Sequence, residues 1–146
     1  MRFLIPFLLV VNLYGAGFWT LTGLTQANIY IQNELGFLNE KTVPAIKTKI
    51  NAMFKETNIA TNQQDAPTLM ISLQGIDNDD EQYVYVKLSI GEEVQTFRED
   101  KSATFALTYD SSDFIETDSE EIDKDILESV DFLLAQFAEQ YEDDKE

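Results

Sequence analysis

Carboxylates are the most abundant reactive groups in this chain, and their spacing sets the first question of chemistry. The densest group is Asp77-Asn78-Asp79-Asp80-Glu81, in which Asp77, Asp79 and Glu81 recur at two-residue steps. Alternating oxygens of this kind can ligate a divalent cation such as Ca²⁺. An EF-hand loop opening at Asp77 would need Gly at its sixth position and Glu at its twelfth, and Gln82 and Leu88 stand there. The same residues also read as a solvated turn, because Asp and Asn bond their own backbone in turns. A second acidic stretch comprises Asp110, Asp113, Glu116, Asp118, Glu120 and Glu121. It reads as a site for a cation or a basic partner segment, or as a solubilising linker into a helix whose positive end favours acids. Two carboxyl groups ~5–10 Å apart could also flank a glycosidic bond, which makes a carboxylate-based hydrolase the catalytic alternative.

Most other chemistry is excluded by composition. The 146 residues contain no His and no Cys, so disulfides, Cys or His zinc sites, Cys nucleophiles and imidazole triads are all absent. No cofactor is called for. With 27 acids against 10 bases the net charge is −17, which repels phosphate backbones and anionic lipid headgroups and makes nucleic acid a poor partner. The charge is also polarised. Residues 1–76 hold five bases and four acids, whereas residues 77–146 hold five bases and 23 acids. Lys41, Lys47, Lys49 and Lys55 form a basic face that could dock an acidic partner or simply face the chain's own acidic half.

Aromatic residues supply a different kind of site. In the stretch from Gln82 to Phe97, Val84, Val86, Leu88, Ile90, Val94 and Thr96 keep even phase, which predicts one long strand kinked at Gly91. Tyr83, Tyr85, Lys87 and Phe97 then lie on its odd face. Tyr and Phe on an uncovered sheet face are common anchors for a partner, and the competing reading is that a loop or the chain ends cover them.

The elements that position these residues follow from periodicity. Leu21 to Gln32 reads as a first strand, and Val43, Ile46, Ile50, Met53 and Phe54 mark an amphipathic helix that Thr42 can cap. Thr68 to Leu73 is a second strand, Gly75 to Asp80 a turn, and Phe105, Leu107 and Tyr109 alternate along a final strand. Ile122, Ile126, Val130, Leu133, Leu134, Phe137 and Tyr141 mark a second helix, with Thr117 and Glu120 at capping-box spacing. Glu142, Asp143, Asp144 and Glu146 sit at its negative end, so the tail 142–146 is expected to fray. The prediction is an α+β domain of order β-α-β-β-β-α over residues 18–146, with a largely antiparallel four-stranded sheet and both helices on one face.

The start of the chain has the layout of a secretory signal peptide over residues 1–17. Arg2 precedes the apolar run Phe3 to Val11, and Gly15, Ala16 and Gly17 follow. That run is short of the ~20 residues that span a bilayer. No transmembrane segment is therefore expected after signal cleavage, and the mature protein is expected in the periplasm or secreted.

The chain resembles a family of small exported α/β proteins of unknown function from Gram-negative bacteria. The resemblance is carried by Leu21-x-Gly23-Leu24 leading into Ile29-x-Ile31, Asn58-Ile59, Pro67-x-Leu69-x-Ile71, the strand from Tyr83 to Ile90, Ala103-Thr104-Phe105, and Phe132-Leu133 with Phe137 and Tyr141. It covers nearly the whole mature chain. Family members commonly carry Trp where Phe105 stands. The element order is also similar to small periplasmic domains of outer-membrane assembly factors, an analogy of fold alone. The resemblance implies export; the family has no assigned activity, so it carries over no catalytic residue. Together these readings lead to the expectation of a non-catalytic envelope protein binding a protein partner through the exposed sheet face or long strand, with the hydrolase and a weak divalent-cation binder as alternatives.

Expression of the full chain in a Gram-negative host tests the first of these expectations. N-terminal sequencing of the periplasmic product should begin at Phe18, or at Gly17 if the cut follows Ala16, and an intact Met1 in that fraction would contradict it.

Overall fold

Six elements in the predicted order are formed by the described residues: β1 (Asn28–Asn33), α1 (Thr42–Thr57), β2 (Thr68–Asn78), β3 (Glu81–Gln95), β4 (Ala103–Thr117) and α2 (Ile122–Asp143). They come from a computed structural model that describes residues 19–78 and 81–145. The proposed signal segment and Asp79 lie outside the described residues. The four strands form one sheet in the order β1-β2-β3-β4. β1 and β2 run parallel, and the other two pairs are antiparallel. A parallel pair needs a crossover, and α1 supplies it. Among the described residues no helix is long and apolar enough to cross a membrane.

One face of the sheet is dry. Leu69, Ile71 and Leu73 of β2 and Val84, Val86, Leu88 and Ile90 of β3 are fully buried, as are Ile46, Ile50 and Phe54 of α1 and Ile126, Val130, Leu133 and Phe137 of α2. All belong to a single core, so both helices cover the same face. They run side by side in the same direction. Thr42 donates to Asp123 near their starts, and Lys49 pairs with Asp131 at 2.7 Å a turn or two later. α1 ends where Asn58 takes the left-handed conformation (φ 59°), its N–H and that of Ile59 both donating to Phe54 O. Asn tolerates that conformation better than most side chains. Every apolar position predicted for α2 is buried.

Several expectations change. The first strand does not start at Leu21. Gly23 (φ 79°) folds residues 21–24 into a turn, with Leu24 N–H on Leu21 O, so that both leucines point inward. Neither Thr42 nor Thr117 caps a helix through its side chain. Thr42 is spent on Asp123, and Asp118 Oδ1 instead accepts the N–H groups of Glu120 and Glu121 just ahead of α2. The expected turn at Gly75 to Asn78 is strand, pairing with Glu81 to Val84. The acidic stretch from Asp110 to Thr117 is not a linker but the second half of β4. At the far end α2 continues through Asp143, and Asp144 accepts the Leu21 N–H at 2.7 Å.

The long strand is present and irregular where Gly91 stands. Ile90 faces Tyr109 and Gly91 faces Leu107, so Thr108 bulges out of β4. A bulge flips the phase of side chains beyond it. Tyr109 therefore enters the core, its ring edge-on to Phe137 at 5.3 Å, while Leu107 and Phe105 turn to the opposite face. The alternation Phe105, Leu107, Tyr109 looks like one face in the sequence and is split between two.

Two glycines stand where the packing leaves no room for a Cβ, one against backbone and one against side chains, and they should respond differently. A Cβ on Gly75 would come within 2.4 Å of Tyr83 O and 2.8 Å of Leu35 Cδ2, whereas on Gly91 it would meet Phe105 Cζ at 2.2 Å and Met70 Cε at 2.9 Å. Backbone cannot yield but the exposed Phe105 ring can swing away. Gly75→Ala is expected to cost about 1–3 kcal/mol in chemical denaturation, and Gly91→Ala distinctly less. Equal costs would show that the Phe105 ring is held in place.

Candidate functional site

The sheet face that carries no helix among the described residues is built by the strand register. Reading across the sheet, its rows are Ile76–Tyr83–Glu116, Gln74–Tyr85–Phe114, Gln32–Ser72–Lys87–Ser112, Tyr30–Met70–Ser89–Asp110, Asn28–Thr68–Gly91–Leu107 and Glu93–Phe105. Opposed residues share a face because side chains alternate at every residue along each strand. This face carries an apolar group at each end. Ile76, Tyr83, Tyr85 and Phe114 form one; Tyr30, Met70, Leu107 and Phe105, the last over Gly91, form the other. Between them Lys87 Nζ meets Asp110 Oδ1 at 3.1 Å, flanked by the serines of those rows.

The exposure of these groups is high for their type. Phe105 and Phe114 are each 63% exposed, Tyr30 53% and Ile76 68%. Scattered surface hydrophobes are ordinary, but several on one side of one sheet are not. Tyr83 stacks on Phe114 with ring centres 6.2 Å apart, within the range of favourable aromatic pairs. Its hydroxyl donates to Glu81 Oε2 at 2.6 Å. That hydrogen bond, then desolvation, then the charges of Glu116 and Glu81 push the phenol from 10.0 up to about 12.

The residues expected from sequence fall in different places. Tyr83, Tyr85 and Lys87 are together on the open face. Phe97 is not with them: β3 ends at Gln95, and Phe97 lies fully exposed in the loop to β4. Along the strand, the 12 residues from Tyr85 to Phe97 would span ~40 Å. β2 starts opposite Gly91, so Glu92–Gln95 and Ala103–Ala106 continue past it as a two-stranded arm with Phe97 near its tip. Asp77 and Glu81 do not converge. They sit on neighbouring registers of one hairpin, so Asp77 shares the covered side with Gln82, whose Nε2 donates to Asp77 Oδ1 at 2.9 Å, and Glu81 shares the open side with Tyr83. No group of three or more His, Cys, Asp or Glu able to hold a metal ion occurs among the described residues.

Sequence reasoning missed Tyr30, Ile76, Phe105 and Phe114. Phe114 was legible, since Ser112, Phe114 and Glu116 alternate with Asp113 and Ile115, but the surrounding acids suggested a linker. Phe105 alternates with Leu107 and Tyr109 in the sequence, and nothing in its neighbourhood marks the bulge at Thr108 that sets it on the other face from Tyr109. The lysine face is partly spent within the chain, Lys49 being held by Asp131.

Comparison with known proteins finds no family model and no curated protein that the chain matches.

The raised Tyr83 phenol has a directional consequence. Its neutral form is favoured in the folded state, so its contribution to stability is complete below pH 10 and is lost as pH rises from 10 through about 12. In ¹³Cζ-tyrosine NMR the Tyr83 signal should titrate near 12 in the wild type and closer to 10 in Glu81→Gln. An unchanged midpoint in the variant would show that Glu81 does not hold the proton.

Proposed function

We propose that this is an exported, non-catalytic envelope protein that docks a protein partner through the open face of its sheet. The observation that carries this reading is the cluster of Ile76, Tyr83, Tyr85 and Phe114 on the side of the sheet that has no helix among the described residues. Tyr, Phe and Met are enriched at the centres of protein interfaces, where large rings bury much area at little entropic cost. The central Lys87–Asp110 pair supplies the fixed polar contact that would set the orientation of a partner. Export is supported by the charged start and apolar run at residues 3–11, and by the resemblance to exported α/β proteins. The charge of −17 argues against nucleic acid and keeps an exported domain soluble.

The test is site-specific photo-crosslinking in whole cells. A photoreactive phenylalanine in place of Phe114, Tyr85 or Ile76 should give the same discrete protein adduct, and one in place of Ala52 on the outer side of α1 should give none. Phe114→Ser should leave stability within about 1 kcal/mol of wild type, as expected for an exposed residue, and reduce the Tyr85 adduct at least ten-fold. Absence of any adduct at all three open-face positions would overturn the reading.

A further inference from the structure

β3 has strands on both sides, so the long free edge of the sheet belongs to β4. One backbone hydrogen bond reaches that edge from elsewhere among the described residues, from Thr20 N–H to Thr108 O at the bulge. Beyond the bulge, the Phe114 N–H is taken by the carboxylate of its own neighbour Asp113 at 2.9 Å. A side chain stands there where a neighbouring strand would. Outward N–H groups recur at every second residue of an antiparallel edge, which gives Ser112 the same orientation as Phe114.

Between this edge and α2 runs a groove of about 420 Å³, lined by Asp113, Glu116, Asp125, Glu128, Ser129 and Phe132. Four of its seven lining residues are acids, Ile115 being the seventh. Ser129 is only 4% exposed and its hydroxyl has no hydrogen-bond partner among the described residues, an unusual state for a buried polar group. Phe132 is 51% exposed at the rim. The groove thus combines an unpaired strand edge, a row of negative charge and an unsatisfied buried hydroxyl.

We propose that an extended, Lys- or Arg-rich segment of a partner protein adds to the Asp110–Thr117 half of β4 as a fifth strand. Its alternate side chains would lie in the groove against Asp125, Glu128 and Ser129. Strand addition takes affinity from main-chain hydrogen bonds and specificity from alternate pockets. Charge decides among the occupants. A second copy of this chain pairing through β4 would set Asp113 and Glu116 against acids of the same strand. A single cation would need ligands that converge, and these carboxylates are strung along the strand and the helix, which suits charges spaced along a chain. The edge and groove adjoin the open face and share Glu116 with it, but strand addition is read by protection of the β4 amides, which docking on the open face does not require.

The probe is an end-blocked eight-residue peptide of alternating Lys and Thr, titrated into the full-length protein at 0.15 M salt and followed by NMR and amide exchange. Saturable binding is expected, with exchange at Ser112 and Phe114 slowed at least five-fold. A peptide with Gln in place of each Lys should bind at least ten-fold more weakly. Ser112→Pro removes an outward donor without touching the pairing to β3 and should weaken binding at least ten-fold. The double variant Glu116→Gln/Glu128→Gln changes two exposed side chains and should do the same should proline disturb the strand. Equal binding by the Gln peptide, wild-type affinity in the double variant, shifts scattered over the surface without protection of β4, or the same shifts from Ca²⁺ or spermidine would each overturn the proposal.

Discussion

Two helices can dry only one face of a four-stranded sheet, and the rest of this molecule is arranged around that limit. Leu69, Ile71, Leu73 and the even-numbered residues of β3 from Val84 to Ile90 are removed from water by Phe54 of α1 and Phe137 of α2. Burial of each large aliphatic side chain is worth about 1.5–3 kcal/mol, so the register that keeps them all on one side is strongly preferred over a one-residue slip. The same register forces Tyr83, Tyr85 and Met70 to the other side. Their position is the geometric counterpart of the core, and it gathers the aromatic groups of the open face, the surface proposed above to dock a partner.

The bulge at Thr108 links the two faces. Below it Tyr109 packs into the core against Phe137; above it Leu107 and Phe105 cross to the open side, where Gly91 leaves room for the Phe105 ring. The bulge is also where the amino-terminal segment is attached, through Thr20 to Thr108 and Leu21 to Asp144. One inserted residue thereby sets the composition of both faces and closes one end of the core.

Charge follows the same geometry. The acids gather on β4 and α2, where an exposed strand edge would otherwise pair with another chain, and charged residues on an edge are a common guard against that. Such an edge disfavours pairing with a copy of itself and suits the basic strand proposed above. The opposite helix, α1, carries the lysines and is joined to α2 by Lys49 and Asp131, although a single partly exposed pair of this kind contributes at most about 1 kcal/mol.

Element order, the core faces of β2, β3 and both helices, and the unbroken run of β3 were legible in the sequence, because period-two and period-3.6 patterns are written locally. The position of Tyr83, Tyr85 and Lys87 on the uncovered side followed from the same alternation. What had no local signal was decided by the tertiary structure. The acidic stretch from Asp110 becomes strand because β3 offers hydrogen bonds along its whole length, and the polar composition that suggested a linker is what an edge strand tolerates. Phe105 and Phe114, odd and even in number, reach one face only because an unpaired residue at Thr108 shifts the register between them. Asp77 and Glu81, neighbours in a string of acids, are set on opposite faces once the hairpin pairs. By itself the sequence determined which residues must be buried; which of the remaining ones meet depended on long-range strand pairing, which no short window of residues contains.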